Sequence, residues 1–272
     1  MTVYGIGLGP GEADLVTVRG KRLLESVDTV YSPGRLSRSV ALNHVEESEL
    51  GDLDFPMTRD REKLRRAWRT AAQDVAAGAR SDDVAFVTLG DPNIYSTFGH
   101  LRRTLSAFHP GIDVEVVPGV SAVTAFATAL GVEIESGTGL SLREAADGAA
   151  PTGPDRMILF KVTDAVATDG KLSEAGYDVT YGRRLFMEQG ETVVTSDPEA
   201  VADRDYYTLA YAEKRSFERD LVTAAFDGVD ADSADGGAEA AARSGGADAT
   251  AGDLTADGGA EAADGSGPEG AE

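Results

Sequence analysis

Residues 3–14 read VYGIGLGPGEAD, a short apolar run that dissolves into closely spaced glycines and a Pro-Gly pair. An apolar stretch of this length, stopped by glycine, is the pattern of a buried parallel strand feeding a tight loop. Just beyond the loop, Thr17 supplies a side-chain oxygen suited to cap a helix. The following residues, VRGKRLLESV, place Val18, Leu23, Leu24 and Val27 roughly on one face. The run TVYS from Thr29 comes next. Strand, loop, helix and strand within about thirty residues predict a βαβ unit.

The same alternation continues outward. Residues Glu62–Gly78 are rich in helix formers and end on glycine, and VAFVTLG from Val84 reads as a second buried strand stopped at Gly90-Asp91-Pro92. A helix is predicted from Ser96 (STFGHLRRTLSAF), a strand from Val114 (VEVV), a turn at Pro118-Gly119 and a small-residue helix through Leu130. Residues 1–135 are therefore read as an α/β domain on a largely parallel sheet. Residues 136–156 lose all period and are expected to form a linker or loop. Three apolar runs, MILFKV from Met157, RLFMEQ from Arg184 and YYTLAYA from Tyr206, predict the strands of a smaller α/β domain over 157–217. From 218 to 272 the chain becomes Ala, Gly and Asp repeats, too poor in apolar surface to offset the entropy of ordering. A disordered acidic tail without a catalytic part is expected there.

Composition excludes several chemistries. Cysteine is absent, which removes disulfides, thiolate metal sites and a cysteine nucleophile together. Three histidines occur, and none is spaced to share a metal with another, so no metal site is expected. The net charge is −22, a field that repels nucleic acid and anionic membranes. Basic residues are mostly Arg with little Lys, as suits a protein adapted to a high-salt cytoplasm. No signal peptide or span-length apolar run is seen, so a cytoplasmic protein is expected, with neither nucleic acid nor membrane as partner.

Three loops carry the chemistry. In GIGLGPG, a dinucleotide fingerprint would need glycine at Pro10 in one register and at Glu12 in the other. Both registers fail, and Glu12 would face a pyrophosphate, so a nicotinamide oxidoreductase is disfavoured; a plain tight turn remains open. In TLGDPNIYSTF (Thr88–Phe98), Gly90 allows close approach, Pro92 fixes the turn and Asp91 places a carboxylate at the sheet's carboxyl edge. The plain reading of Asp91 is a helix cap. In VVPGVSAVTAFATALGV (Val116–Val132), Ser121 and Ala122 open a helix whose small residues permit close approach to a ligand or to another helix.

In this order and spacing, GLGPG, GDP and PGVSA together resemble the tetrapyrrole methylase family over roughly Thr2–Ala212. YSTF directly after GDP, and MILFKV ending near Lys161, are similar to the subgroup that methylates carbon 20 of precorrin-2 or cobalt-factor II. The resemblance implies two α/β domains with a ligand cleft between them, S-adenosyl-L-methionine as methyl donor, a tetrapyrrole substrate and a homodimer. It implies that Pro10 faces the donor, that Leu89, Gly90 and Asp91 contact its methionine and ribose, and that Ile94 adds a backbone contact. Ser121 and Ala122 would lie beneath it, with Lys161 toward the adenine. Tyr95 and Asp91 are catalytic candidates by position, for removal of a proton after transfer. A polycarboxylate substrate directs attention to Arg19, Arg35, Arg38, Arg102 and Arg103 as cations, although each has an ordinary reading as a surface ion pair. The open alternatives are another precorrin methyltransferase, diphthine synthase acting on a protein, and an adenosine-binding module without turnover.

Overall fold

The computed structural model describes residues 1–217 apart from Met57 and Arg59. The opening stretch forms strand β1 (Thr2–Gly7), and Thr17 caps helix α1 (Val18–Leu24) by accepting the Gly20 N–H at 3.1 Å. Strand β2 (Thr29–Ser32) closes the predicted βαβ unit. Two short elements without a readable period follow, α2 (Arg35–Ala41) and β3 (Leu50–Asp52). Helix α3 (Arg61–Gly78) starts where the Asp60 carboxylate accepts two backbone N–H groups, and β4 (Val84–Thr88) is buried throughout. Helix α4 (Phe98–Phe108), strand β5 (Asp113–Val117) and helix α5 (Ala122–Leu130) complete the first half.

Strands β1 to β5 form one sheet in the order β3-β2-β4-β1-β5, every neighbouring pair parallel. One face packs Val3 and Phe86 against Val75, Leu101 and Leu105 of α3 and α4. The other packs Ile6, Val30 and Val87 with Leu24 and Val40 of α1 and α2. Burial on both faces explains why β4 reads as a continuous apolar run rather than an alternation. In this order β1 lies between β4 and β5, so the loops leaving these three carboxyl ends meet.

The second half differs from the expectation in three places. Residues 141–144, inside the expected linker, form strand β6 (Ser141–Glu144), paired parallel to β7 (Arg156–Phe160). Only four residues long and at the sheet edge, it is too short to show a period. The run RLFMEQ is not a strand, because Arg184 and Phe186 hold φ of 52° and 58°, outside the extended region. The strand lies just before it, β8 (Tyr177–Arg183), where Tyr177, Val179 and Tyr181 alternate inward. Helix α6 (Ala165–Glu174), strand β9 (Val193–Thr195) and strand β10 (Thr208–Lys214) complete a mixed sheet ordered β6-β7-β10-β8-β9. It has as many strands as the first sheet.

One face of this sheet packs on α6 through Leu159, Leu172 and Tyr181. The other receives Phe126 of α5 against Ile158, Phe160 and Tyr211, which joins it to the first half. Among the described residues no helix is long and apolar enough to cross a membrane. The acidic tail read from residue 218 onward lies outside the described residues.

Candidate active site

The loops after β1, β4 and β5 touch one another with no room for side chains. A Cβ on Gly7 would stand 2.5 Å from the Gly90 carbonyl oxygen and 2.7 Å from Gly119 Cα. A Cβ on Gly119 would collide with the same carbonyl. Gly90 N–H donates to the Gly9 carbonyl at 2.6 Å, and Gly9 and Gly90 turn at φ of 75° and 68°, which glycine adopts freely. Contact between loops thus requires glycine at Gly7 and Gly119, and the backbone turn favours it at Gly9 and Gly90.

Asp91 ties these loops together. One carboxylate oxygen accepts the Asn93 N–H at 2.9 Å, and the other accepts the Gly119 N–H at 3.3 Å. It does not cap α4; Ser96 Oγ accepts the Phe98 N–H at 3.1 Å and bonds Thr88 Oγ1 at 3.0 Å instead. Ser121 caps α5 by accepting the Val123 N–H at 3.2 Å.

These loops border a cavity of about 550 Å³, closed on its far side by residues of the second sheet. Pro10, Leu89, Gly90, Asp91, Ile94, Tyr95, Ser121, Ala122 and Lys161 all line it, and so does Arg35. Arg19, Arg38, Arg102 and Arg103 do not. Arg19 pairs with Glu115, Arg38 bonds Asp52 at 3.1 Å and Glu47 at 3.2 Å, and Arg103 reaches His100 at 3.1 Å. Arg102 lies exposed on α4. Arg35 stands apart from these as a cavity cation without an ion-pair partner among the described residues.

Sequence reasoning missed most of the aromatic wall, which includes Phe55, Phe126, Phe160, Tyr206 and Tyr207. The signal was present in RLFMEQ and YYT, whose apolar residues Leu185, Met187, Tyr206 and Tyr207 face the cavity rather than building a strand there. The loop after β1 meets this wall directly, since a Cβ on Gly11 would stand 2.5 Å from the Phe186 carbonyl.

Lys161 projects from the end of β7. Its ammonium donates to Glu144 at 3.3 Å and lies 5.9 Å and 5.5 Å from the ring centres of Tyr95 and Tyr206. Burial alone would lower its pKa, but the Tyr206 hydroxyl and Glu144 carboxylate outweigh this and hold it above the ordinary lysine value. Burial, reinforced by Tyr206, likewise pushes the Tyr207 hydroxyl up, so it stays protonated near neutrality. Tyr95 and Lys161 occupy φ of 48° and 57°, a left-handed conformation costing on the order of 1–3 kcal/mol each.

A donor of the adenosyl-methionine kind fits this setting. The walls are largely apolar and aromatic, with few polar groups, as small-molecule pockets are. Thr97 lines the cavity, and its buried Oγ1 has no hydrogen-bond partner among the described residues, so one polar contact is left for a ligand.

Fold and cavity define a two-sheet α/β protein with a cavity at the carboxyl edge of parallel strands, where open α/β folds bind ligands. The chain belongs to the tetrapyrrole (corrin/porphyrin) methylases, whose family model matches residues 2–200. A probable cobalt-precorrin-2 C(20)-methyltransferase of Methanocaldococcus jannaschii is 33% identical over 141 residues, covering 50% of this chain and 60% of that protein. A precorrin-4 C(11)-methyltransferase of Pseudomonas aeruginosa is 36% identical over 135 residues, covering 49% of each. The matches thus span from 49% to 60% of these relatives' own lengths. The crystal structure of the uroporphyrin-III C-methyl transferase of Thermus thermophilus complexed with S-adenyl homocysteine superposes with a TM-score of 0.55. The two are 18% identical, and the match covers 78% of this chain and 97% of that one. At that identity the likeness is one of fold.

Proposed function

We propose that this protein transfers a methyl group from S-adenosyl-L-methionine to a ring carbon of a tetrapyrrole during corrin assembly, at carbon 20 of precorrin-2 or cobalt-factor II. The observation that carries this reading is the meeting of the three glycine loops around Asp91 at the edge of an aromatic-walled cavity. The donor supplies an already activated methyl on a sulfonium, so the protein needs no strong nucleophile of its own. Its work is to hold the accepting carbon in line and to keep water out.

Leu89, Gly90 and Asp91 form the donor edge with Pro10 and Ile94, and Ser121 and Ala122 form its floor. The Asp91 carboxylate already accepts from two backbone N–H groups, so its part is to hold the loop. Arg35, a cavity cation without an ion-pair partner among the described residues, takes a substrate carboxylate. Lys161, kept charged by its neighbours, stands on the opposite half of the cavity wall.

The likeness to the precorrin-4 enzyme favours a second reading, methylation at carbon 11. Both are tested together by incubating the protein and labelled donor, in concentrated salt, with precorrin-2, cobalt-factor II and precorrin-4 separately. One methyl gained at carbon 20 of either early substrate supports the first reading, and transfer to precorrin-4 alone replaces it with the second. Transfer to none, with the donor still bound, moves the acceptor to another molecule such as a protein.

A further inference from the structure

Tyr95 and Phe160 meet in a tilted ring contact at the cavity wall, one from the loop after β4 and the other from the second sheet. Tyr95 lies in the connection from β4 to α4, four residues beyond Asp91, and Phe160 ends β7. Their ring centres are 4.5 Å apart with planes at 35°. Lys161, next to Phe160, adds its ammonium 5.9 Å from the Tyr95 ring centre. Tyr95 is nevertheless 45% exposed, and its hydroxyl has no hydrogen-bond partner among the described residues. A tyrosine at φ of 48° holds a conformation that its own backbone disfavours, so contacts of the ring must compensate. Those contacts are with Phe160 and Lys161.

We infer that Tyr95 is a positioning residue whose ring, and not its hydroxyl, clasps the Asp91–Ser96 segment of the donor edge to the second sheet through Phe160 and Lys161. The clasp fixes the segment that carries Ile94 and the Asp91 carboxylate, and hence the shape of the donor edge. Lys161, held charged by Tyr206 and Glu144, adds an ammonium over the Tyr95 face, where the ring's quadrupole attracts it. A hydroxyl acting as proton acceptor would instead make the oxygen indispensable and the ring contact incidental.

Two variants of the full chain separate ring from hydroxyl. Tyr95→Phe keeps the ring contact and the cation–π contact. Tyr95→Asn removes both, yet tolerates the left-handed backbone, so it isolates the ring from strain. The first readout is amide hydrogen exchange of residues 91–96, where the Asn93 and Ile94 N–H groups bond Asp91 at 2.9 and 3.2 Å. In Tyr95→Asn this exchange becomes roughly tenfold faster, and in Tyr95→Phe it stays within about twofold of wild type. The second readout is the dissociation constant for S-adenosylmethionine, which follows the same order.

Equal acceleration in both variants, or none in Tyr95→Asn, overturns the clasp. The donor-affinity arm rests on the methyltransferase reading, and a wild-type protein that binds no donor defeats that reading. The exchange arm needs no ligand and still decides the inference.

Discussion

The Asp91 carboxylate accepts the Gly119 N–H at 3.3 Å, tying the loop after β4 to the loop after β5. Together with the Asn93 contact at 2.9 Å, it occupies both carboxylate oxygens with backbone donors. A charged acceptor is worth more than a neutral one in such a position. Asp91→Ala should therefore lower unfolding stability by about 1–3 kcal/mol and weaken donor binding by about tenfold or more. Thermal unfolding and calorimetric titration of one sample check both. Unchanged donor affinity would remove Asp91 from the site.

Gly119→Ala tests the closeness of the loops themselves. Its Cβ would collide with the Gly90 carbonyl and crowd Gly7, so backbone rather than a flexible side chain has to move. A cost of about 1–3 kcal/mol is expected, with loss of donor affinity beyond that of a surface change. Gly111→Ala, where an added Cβ meets nothing within 4 Å, is the control and should be close to neutral.

Arg35 lines the cavity and pairs with no described residue, so its removal leaves no buried carboxylate stranded. Arg35→Ala should raise KM for an acidic tetrapyrrole by roughly threefold to tenfold, at nearly constant donor affinity and stability. Arg38→Ala, whose side chain already serves Asp52 and Glu47, should leave KM unchanged. Steady-state kinetics with both variants distinguishes them.

Lys161 contributes stability with a defined pH dependence. Its folded pKa is raised above the unfolded value, so the contribution is fully present below the ordinary lysine pKa and is lost as pH rises through the folded value. Melting curves of wild type and Lys161→Met should differ by a constant amount from neutral to mildly alkaline pH and converge at higher pH. A gap that widens with alkalinity would contradict the assignment.

The net charge of −22 on 272 residues predicts a stability that climbs with salt. At about 1 M salt the screening length falls to about 3 Å, which removes most repulsion between surface carboxylates. Melting temperature should rise from dilute buffer to molar potassium chloride, and a flat profile would reject the high-salt reading.

The first half of the fold was legible because β1 and β4 are largely buried, and β1, β4 and β5 each end on or within two residues of a glycine, leaving a stop signal after each run. The loop cluster at the carboxyl edge was legible through its glycines, since Gly90 turns at a φ of 68° and Gly119 leaves no room for a side chain. The strand at Tyr177–Arg183 was overlooked in favour of the more apolar Arg184–Gln189, where Leu185 and Met187 line the cavity instead of building a strand. Local hydrophobicity does not distinguish these two destinations. Nor does charge alone pick out Arg35 from Arg19 and Arg38. What separates them is whether an acidic partner stands within reach, which is a property of the folded chain.

A crystal structure with S-adenosylhomocysteine tests the central claim most directly. The account predicts the ligand inside the cavity, against Leu89–Asp91 on one side and Ser121–Ala122 on another, with Thr97 Oγ1 gaining a polar partner. A ligand bound elsewhere, or a cavity left empty at saturating ligand, would contradict it.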